Sequence, residues 1–111
     1  MNLWEERAAR NEALFREVNE QVRRLSDAQG DPTGGEVAFV CECSDDSCTE
    51  RLHVTLAVYE GVRADPRHFL VAPGHDTAIE HVVRSGDGYA VVEKEGAAGR
   101  IADQTDPRAE P

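Results

Sequence analysis

Val37-Ala38-Phe39-Val40-Cys41-Glu42-Cys43-Ser44-Asp45-Asp46-Ser47-Cys48 joins a short apolar run to a polar loop, and it carries every cysteine of the chain. The β-branched and aromatic residues from Val37 to Val40 read as a strand that delivers Cys41 and Cys43 at its end. Cys48 lies five positions beyond Cys43, and the turn-forming residues Ser44 to Ser47 can fold the third thiol back onto the first two. That is metal-ligand spacing. Zinc takes four tetrahedral nitrogen or sulfur donors, and three thiolates with one neutral imidazole satisfy it at a net charge of about −1.

The fourth donor comes from His53, His68, His75 or His81. His75 leads. It follows Pro73-Gly74, the pair that suits the two central positions of a type II turn, so its side chain is free of the regular strands and turned back toward Ala72. His53 is the alternative fourth ligand, five residues past Cys48, although it falls in an expected strand. Free structural thiols and a redox pair are the competing readings of the cysteines. Both are strained, because Glu42, Asp45, Asp46 and Glu50 surround the thiols and disfavour an isolated thiolate, whereas a dication supplies the missing charge locally. An iron–sulfur cluster fits less well without a fourth cysteine.

Working outward from the loop, Leu52 to Thr55 alternates as a second strand, and Thr55 is placed to cap a short helix from Leu56 to about Ala64 that Asp65-Pro66 ends. His68 to Val71 is a third strand. Ala78 to Arg84 and Tyr89 to Lys94 are strand-like runs joined through Ser85-Gly86-Asp87-Gly88, a hairpin signal. Upstream, Asn2 to Leu25 contains no glycine or proline, and Trp4, Ala8, Asn11, Phe15, Val18, Val22 and Leu25 recur at spacings of four and three. This predicts an amphipathic helix docked through its apolar stripe. The expected fold is α+β: a long N-terminal amphipathic helix over 1–27, a linker over 28–36, and a zinc-stapled domain over 37–102. That domain holds a small antiparallel sheet, one short helix and the Cys-rich loop, and a disordered tail over 103–111 follows. Trp4, Phe15, Phe39, Tyr59, Phe69 and Tyr89 are the expected anchors of a core that a chain of 111 residues can make only modest.

Twelve Lys plus Arg against 22 Asp plus Glu give a formal charge of −10, with the arginines of the first segment interleaved among glutamates. Nucleic acid and anionic membranes are thereby disfavoured as partners. No apolar run approaches the roughly 18–20 residues of a bilayer span, and Met1 leads into Trp4-Glu5-Glu6, not into a basic and then apolar leader. A cytoplasmic, reducing location is expected, which also suits an odd number of closely spaced thiols. Asp65, Asp76 and Glu80 are candidate general acids or bases, although scattered carboxylates in so acidic a chain are usually solvated surface. No nucleophile elbow, phosphate loop or His-Glu-x-x-His helix is present. The polar stripe Arg10, Asn11, Glu12, Arg16, Asn19 and Glu20 reads either as a recognition surface or as exposed i,i+4 pairs.

Arg10-Asn11-Glu12, Phe15-Arg16, Asn19-Glu20, Phe39-Val40-Cys41-Glu42-Cys43, Cys48, Tyr59-Glu60, Val62-Arg63, Pro73-Gly74-His75, Tyr89, Val91-Val92-Glu93-Lys94 and Asp106-Pro107-Arg108 carry a resemblance. Over most of its length the chain resembles a family of small uncharacterised actinobacterial proteins with a Cys-x-Cys-x4-Cys loop and a Pro-Gly-His turn. The resemblance implies a Cys3His site that uses His75, and no activity. The functional expectation is a small zinc-binding regulatory or adaptor protein acting through protein–protein interaction, its first helix engaging a protein partner or a second copy. A thiol/zinc redox sensor is the alternative. A zinc-dependent hydrolase with an open metal position is the second alternative, and no residue marks its general base.

Overall fold

The computed structural model describes residues 3–29, 35–43, 45, 47–77 and 80–108, with side chains of the first helix described from Glu6 to Ser26. The Trp4 side chain, Ser44 and Asp46 of the cysteine loop, positions 30–34 of the expected linker, the start of the expected hairpin at 78–79 and the last residues of the expected tail lie outside that set. The architecture is α+β. In chain order the elements are α1 (Leu3–Gln29), β1 (Glu36–Val40), β2 (Arg51–Thr55), α2 (Leu56–Arg63), β3 (His68–Val71), β4 (Glu80–Gly86), β5 (Tyr89–Lys94) and α3 (Gly96–Gln104).

The strands form two antiparallel sheets, β1-β2 and β3-β5-β4, where the sequence suggests one. β1 and β2 alternate as their sequences dictate: Leu52 and Val54 turn inward, opposite Phe39 and Val37, while His53 faces solvent opposite Ala38. Thr55 caps α2 as expected, its hydroxyl accepting from the Val58 N–H at 3.2 Å. β4 and β5 meet through Asp87-Gly88, where Gly88 at φ +80 supplies the left-handed residue of the turn. Val83 is a bulge in β4, and it and Val82 stay exposed on that edge strand. Between the layers, Phe39 and Tyr59 stack with ring centroids 4.3 Å apart, and Val62, Phe69, Leu70, Val91 and Val92 complete the core.

α1 docks only in part through the stripe its sequence suggests: Ala8 is buried and Val22 packs against the core, but the inner face is shared with polar residues. Glu12, Arg16, Asn19 and Glu20 are buried, whereas Leu14, Val18 and Leu25 are exposed. The polar stripe is thus neither a recognition surface nor an exposed ladder. Each of its buried members meets a distant complement. Glu12 pairs with Lys94, which also holds Glu80. Arg16 donates to the carbonyls of Pro66 at 2.6 Å and Ala102 at 2.8 Å, and lies 4.7 Å above the Phe69 ring. Asn19 exchanges two 2.8 Å hydrogen bonds with the backbone of Val40. Glu20 accepts from the Tyr59 hydroxyl at 3.1 Å and pairs with Arg108. These pairings offset much of the cost of burying charge, although Arg16 Nε itself has no hydrogen-bond partner among the described residues.

Residues Gly96–Gln104, for which the sequence suggests no element, form α3. Ala102 packs inward, and the Arg16 guanidinium caps its carbonyl. Where the sequence suggests a tail from residue 103, α3 runs on to Gln104, and Arg108 reaches Glu20 and Glu60. Residues 103–108 are therefore tied to α1 and α2.

Burial lifts the Glu12 carboxyl from 4.5 to about 7, against the opposing charge of Lys94. Between these values the folded chain holds a proton that the unfolded chain has lost, so this group's contribution to stability falls as pH rises from about 5 to 8. Glu12→Gln has no such proton to lose. The variant is expected to gain on the parent protein by on the order of 3 kcal/mol across that window. Urea denaturation of both proteins at several pH values measures the gap, and a gap that does not change with pH would contradict this account.

Candidate metal centre

Three segments bring four donors together. Cys41 and Cys43 lie just past β1, where the Cys41 N–H still bonds to the Glu50 carbonyl at 3.2 Å and the Glu42 N–H to the Leu70 carbonyl at 2.7 Å. These bonds hold the Cys-x-Cys segment between the two sheets. Cys48 returns through a tight turn: its N–H donates to the Asp45 carbonyl at 3.1 Å, and the Asp45 carboxylate accepts from the Ser47 N–H at 2.9 Å and from its hydroxyl at 2.6 Å. His75 arrives on the expected type II turn. Its N–H donates to the Ala72 carbonyl at 3.0 Å, and Gly74 takes φ +83 at the position that needs it.

One donor atom from each of Cys41, Cys43, Cys48 and His75 lies within 4.8 Å of all the others. His75 Nδ1 is 3.5 Å from the Cys41 sulfur and 3.6 Å from the Cys48 sulfur. A tetrahedral ion with bonds of about 2.3 Å to sulfur and about 2.05 Å to nitrogen spaces those donors about 3.5–3.6 Å apart. The residues present therefore fit a metal ion. All three cysteines are free thiols.

Burial pushes the Cys41 thiol well above its usual range and raises Cys43 as well. Without a cation these two sulfurs stay protonated and poorly nucleophilic, whereas a dication at the centre would convert them to thiolates. The surroundings are already arranged for charged sulfur: the Ala72 N–H points at Cys41 Sγ from 3.1 Å. Cys41 and Cys43 are buried, while Cys48 and His75 are half-exposed. Outside them lies a depression of about 240 Å³ lined by Cys43, Asp45, Gly74, His75 and Asp76.

The remaining candidates separate cleanly. His53, the alternative ligand, is exposed on the outer face of β2 between buried Leu52 and Val54, because one step along a strand reverses the side chain. It is absent from the cysteine cluster. His68 and His81 sit on the three-stranded sheet and engage Glu93. Glu80 is buried against Lys94, Asp65 stands beside His68, and Asp76 is exposed next to His75.

Glu42 escaped the sequence reading as anything but a neighbouring charge. It is fully buried and accepts from Asn19 Nδ2 at 2.7 Å, from an Arg63 guanidinium nitrogen at 2.8 Å and from the Leu70 N–H at 2.8 Å. The residue between the two cysteines thus locks their backbone to α1, α2 and β3. An acidic residue enclosed by two cysteines at a strand end was the only available signal. Comparison of the chain with family models, with curated proteins and with solved structures finds no match.

Proposed function

We propose that the chain is a zinc-stapled protein-interaction module, in which Cys41, Cys43, Cys48 and His75 hold one structural zinc ion and α1 presents the contact surface. The convergence of four soft or borderline donors from three separate segments carries this reading. Zinc suits three sulfurs and an imidazole better than hard cations do. Four protein donors complete a tetrahedral shell and leave no place for a reacting water, which argues for a staple over a hydrolase. Burial of Cys41 and Cys43 argues likewise against a thiol sensor, which needs its sulfur open to oxidant.

The adaptor role rests on α1. Its inner face is occupied by the polar network, so the exposed Leu14, Val18 and Leu25 are not needed for its own docking. They stand at spacings of four and seven, a single stripe along the helix, which suits a protein partner presenting an apolar surface. A reducing, cytoplasmic setting belongs to the same reading, because it keeps the three thiols available to the metal.

Metal analysis of protein purified without affinity metal should give one zinc bound by sulfur per chain. Cobalt(II) put in its place should show sulfur-to-metal charge-transfer absorption, and Cys48→Ser and His75→Ala should each weaken the site at least roughly tenfold. Absence of the sulfur-to-cobalt band would refute the assignment. His53→Ala should leave the spectrum and affinity unchanged.

A further inference from the structure

A second group of ligand-type side chains lies on the three-stranded sheet, away from the cysteines. His68 of β3 and His81 of β4 are both direct register partners of Glu93 on the central strand β5. Cross-strand partners project to the same face, so His68, Glu93 and His81 form one row across the sheet. Asp65, from the turn before β3, closes the row at the His68 end, and Glu95 closes it at the other.

We infer that Asp65, His68 and Glu93 form a second, solvent-accessible site for a divalent transition-metal ion of the zinc class. Three donor atoms converge there. His68 Nε2 stands 3.5 Å from Asp65 Oδ2 and 3.3 Å from Glu93 Oε1. Charge-assisted hydrogen bonds close to about 2.7–2.9 Å. By contrast, a tetrahedral ion with bonds of about 2.0–2.2 Å to nitrogen and oxygen separates its donors by about 3.3–3.6 Å. The observed spacings fit the shell of such an ion, and the Glu93 contact also lies within hydrogen-bond reach of the imidazole.

Both carboxylates are also oriented from behind. Asp65 Oδ1 accepts from the Arg67 N–H at 2.9 Å, which leaves Oδ2 turned toward His68. Glu93 Oε2 lies 3.2 Å from His81 Nε2, which leaves Oε1 facing His68. Each carboxylate thus has one oxygen tied back and the other presented, as ligating carboxylates commonly do. The Arg67 guanidinium, whose charge also acts on Asp65 and Glu93, makes its direct contacts with Asp103 at 2.8 and 3.2 Å. Two carboxylates and an imidazole together are donors of the kind a zinc-class dication takes.

Unlike the cysteine centre, this site supplies three protein donors from partly exposed side chains, with His68 16% and Glu93 29% exposed. Water would complete the shell, so the ion should exchange faster and bind more weakly than at the cysteines. Its donors are nitrogen and oxygen only. Filled with cobalt(II), it gives no sulfur charge-transfer band, which lets the two sites be read separately in one sample.

The experiment takes the full chain already carrying one equivalent of cobalt or zinc and titrates further metal by calorimetry, with absorption followed in parallel. A second equivalent should bind without adding charge-transfer intensity. Glu93→Gln and His68→Ala should each weaken that second equivalent at least roughly tenfold while keeping the sulfur band of the first, which also reports that the variant is folded. Uptake of a single ion by the parent protein would overturn the proposal, and so would a second equivalent that both variants bind as the parent does. Loss of the sulfur band alone would count against the cysteine centre and leave this site standing.

Discussion

Chelation of the metal is expected to lower the melting temperature by about 20 °C or more and to abolish cooperative unfolding of the β1-β2 half of the molecule. Structural zinc contributes about 10–16 kcal/mol of apparent folding free energy, against a whole-domain stability of about 5–15 kcal/mol. Losing even a third of that contribution shifts the melting point of a chain this size by some 20 °C, at roughly 4–8 °C per kcal/mol. The position of the site makes the effect large. Cys41, Cys43 and Cys48 belong to the loop of one sheet and His75 to the turn leaving the other, so the ion would bridge two sheets that share no strand. Without it the two sheets are joined by the shared apolar core with its Phe39–Tyr59 stack, by the Glu42 and Asn19 networks and by a few backbone bonds. Cys43→Ser should behave like chelated protein, and circular dichroism with calorimetry, after metal analysis confirms removal, measures both. A melting point that survives confirmed removal would mean that the core suffices alone.

Local chemistry is what the sequence made legible. The Cys-x-Cys-x4-Cys spacing, the Pro73-Gly74 turn and the Thr55 cap each depend on residues a few positions apart, and the turns bring Cys48 and His75 to Cys41 as the spacing implies. The strand period puts His53 between two buried residues and hence outside, away from the cysteine cluster. The inner face of α1 was not legible, because its polarity is set by partners far along the chain. Glu12 and Arg16 read as solvated until Lys94 and the carbonyl of Ala102 are placed beside them. α3 was hidden for a related reason. Gly96 and Gly99 lower its intrinsic helicity and Glu95 offers no side-chain cap, so tertiary contact with α1 decides its state. The division into two sheets likewise depends on non-local strand pairing.

Glu42→Ala is expected to destabilise the metal-loaded protein by about 3–5 kcal/mol, the cost of removing one partner of a buried ion pair. The mechanism is the stranding of what Glu42 receives. Arg63 is 2% exposed and has no other carboxylate partner among the described residues. Its second hydrogen bond, to the His68 carbonyl at 2.9 Å, does not neutralise it. The Leu70 N–H and one Asn19 amide bond are stranded at the same time. Glu42→Gln keeps the shape and one acceptor oxygen, so it should lose only part of this, about half. Pairing Glu42→Ala with Arg63→Met should recover stability relative to Glu42→Ala alone, because the uncompensated charge has gone. Urea denaturation of the four zinc-loaded proteins gives the comparison. A loss under about 1 kcal/mol for Glu42→Ala would contradict the buried-pair account. Because Glu42 sits between two of the proposed ligands, the loss of stability should appear together with weaker metal retention, linking the polar core to the site it frames.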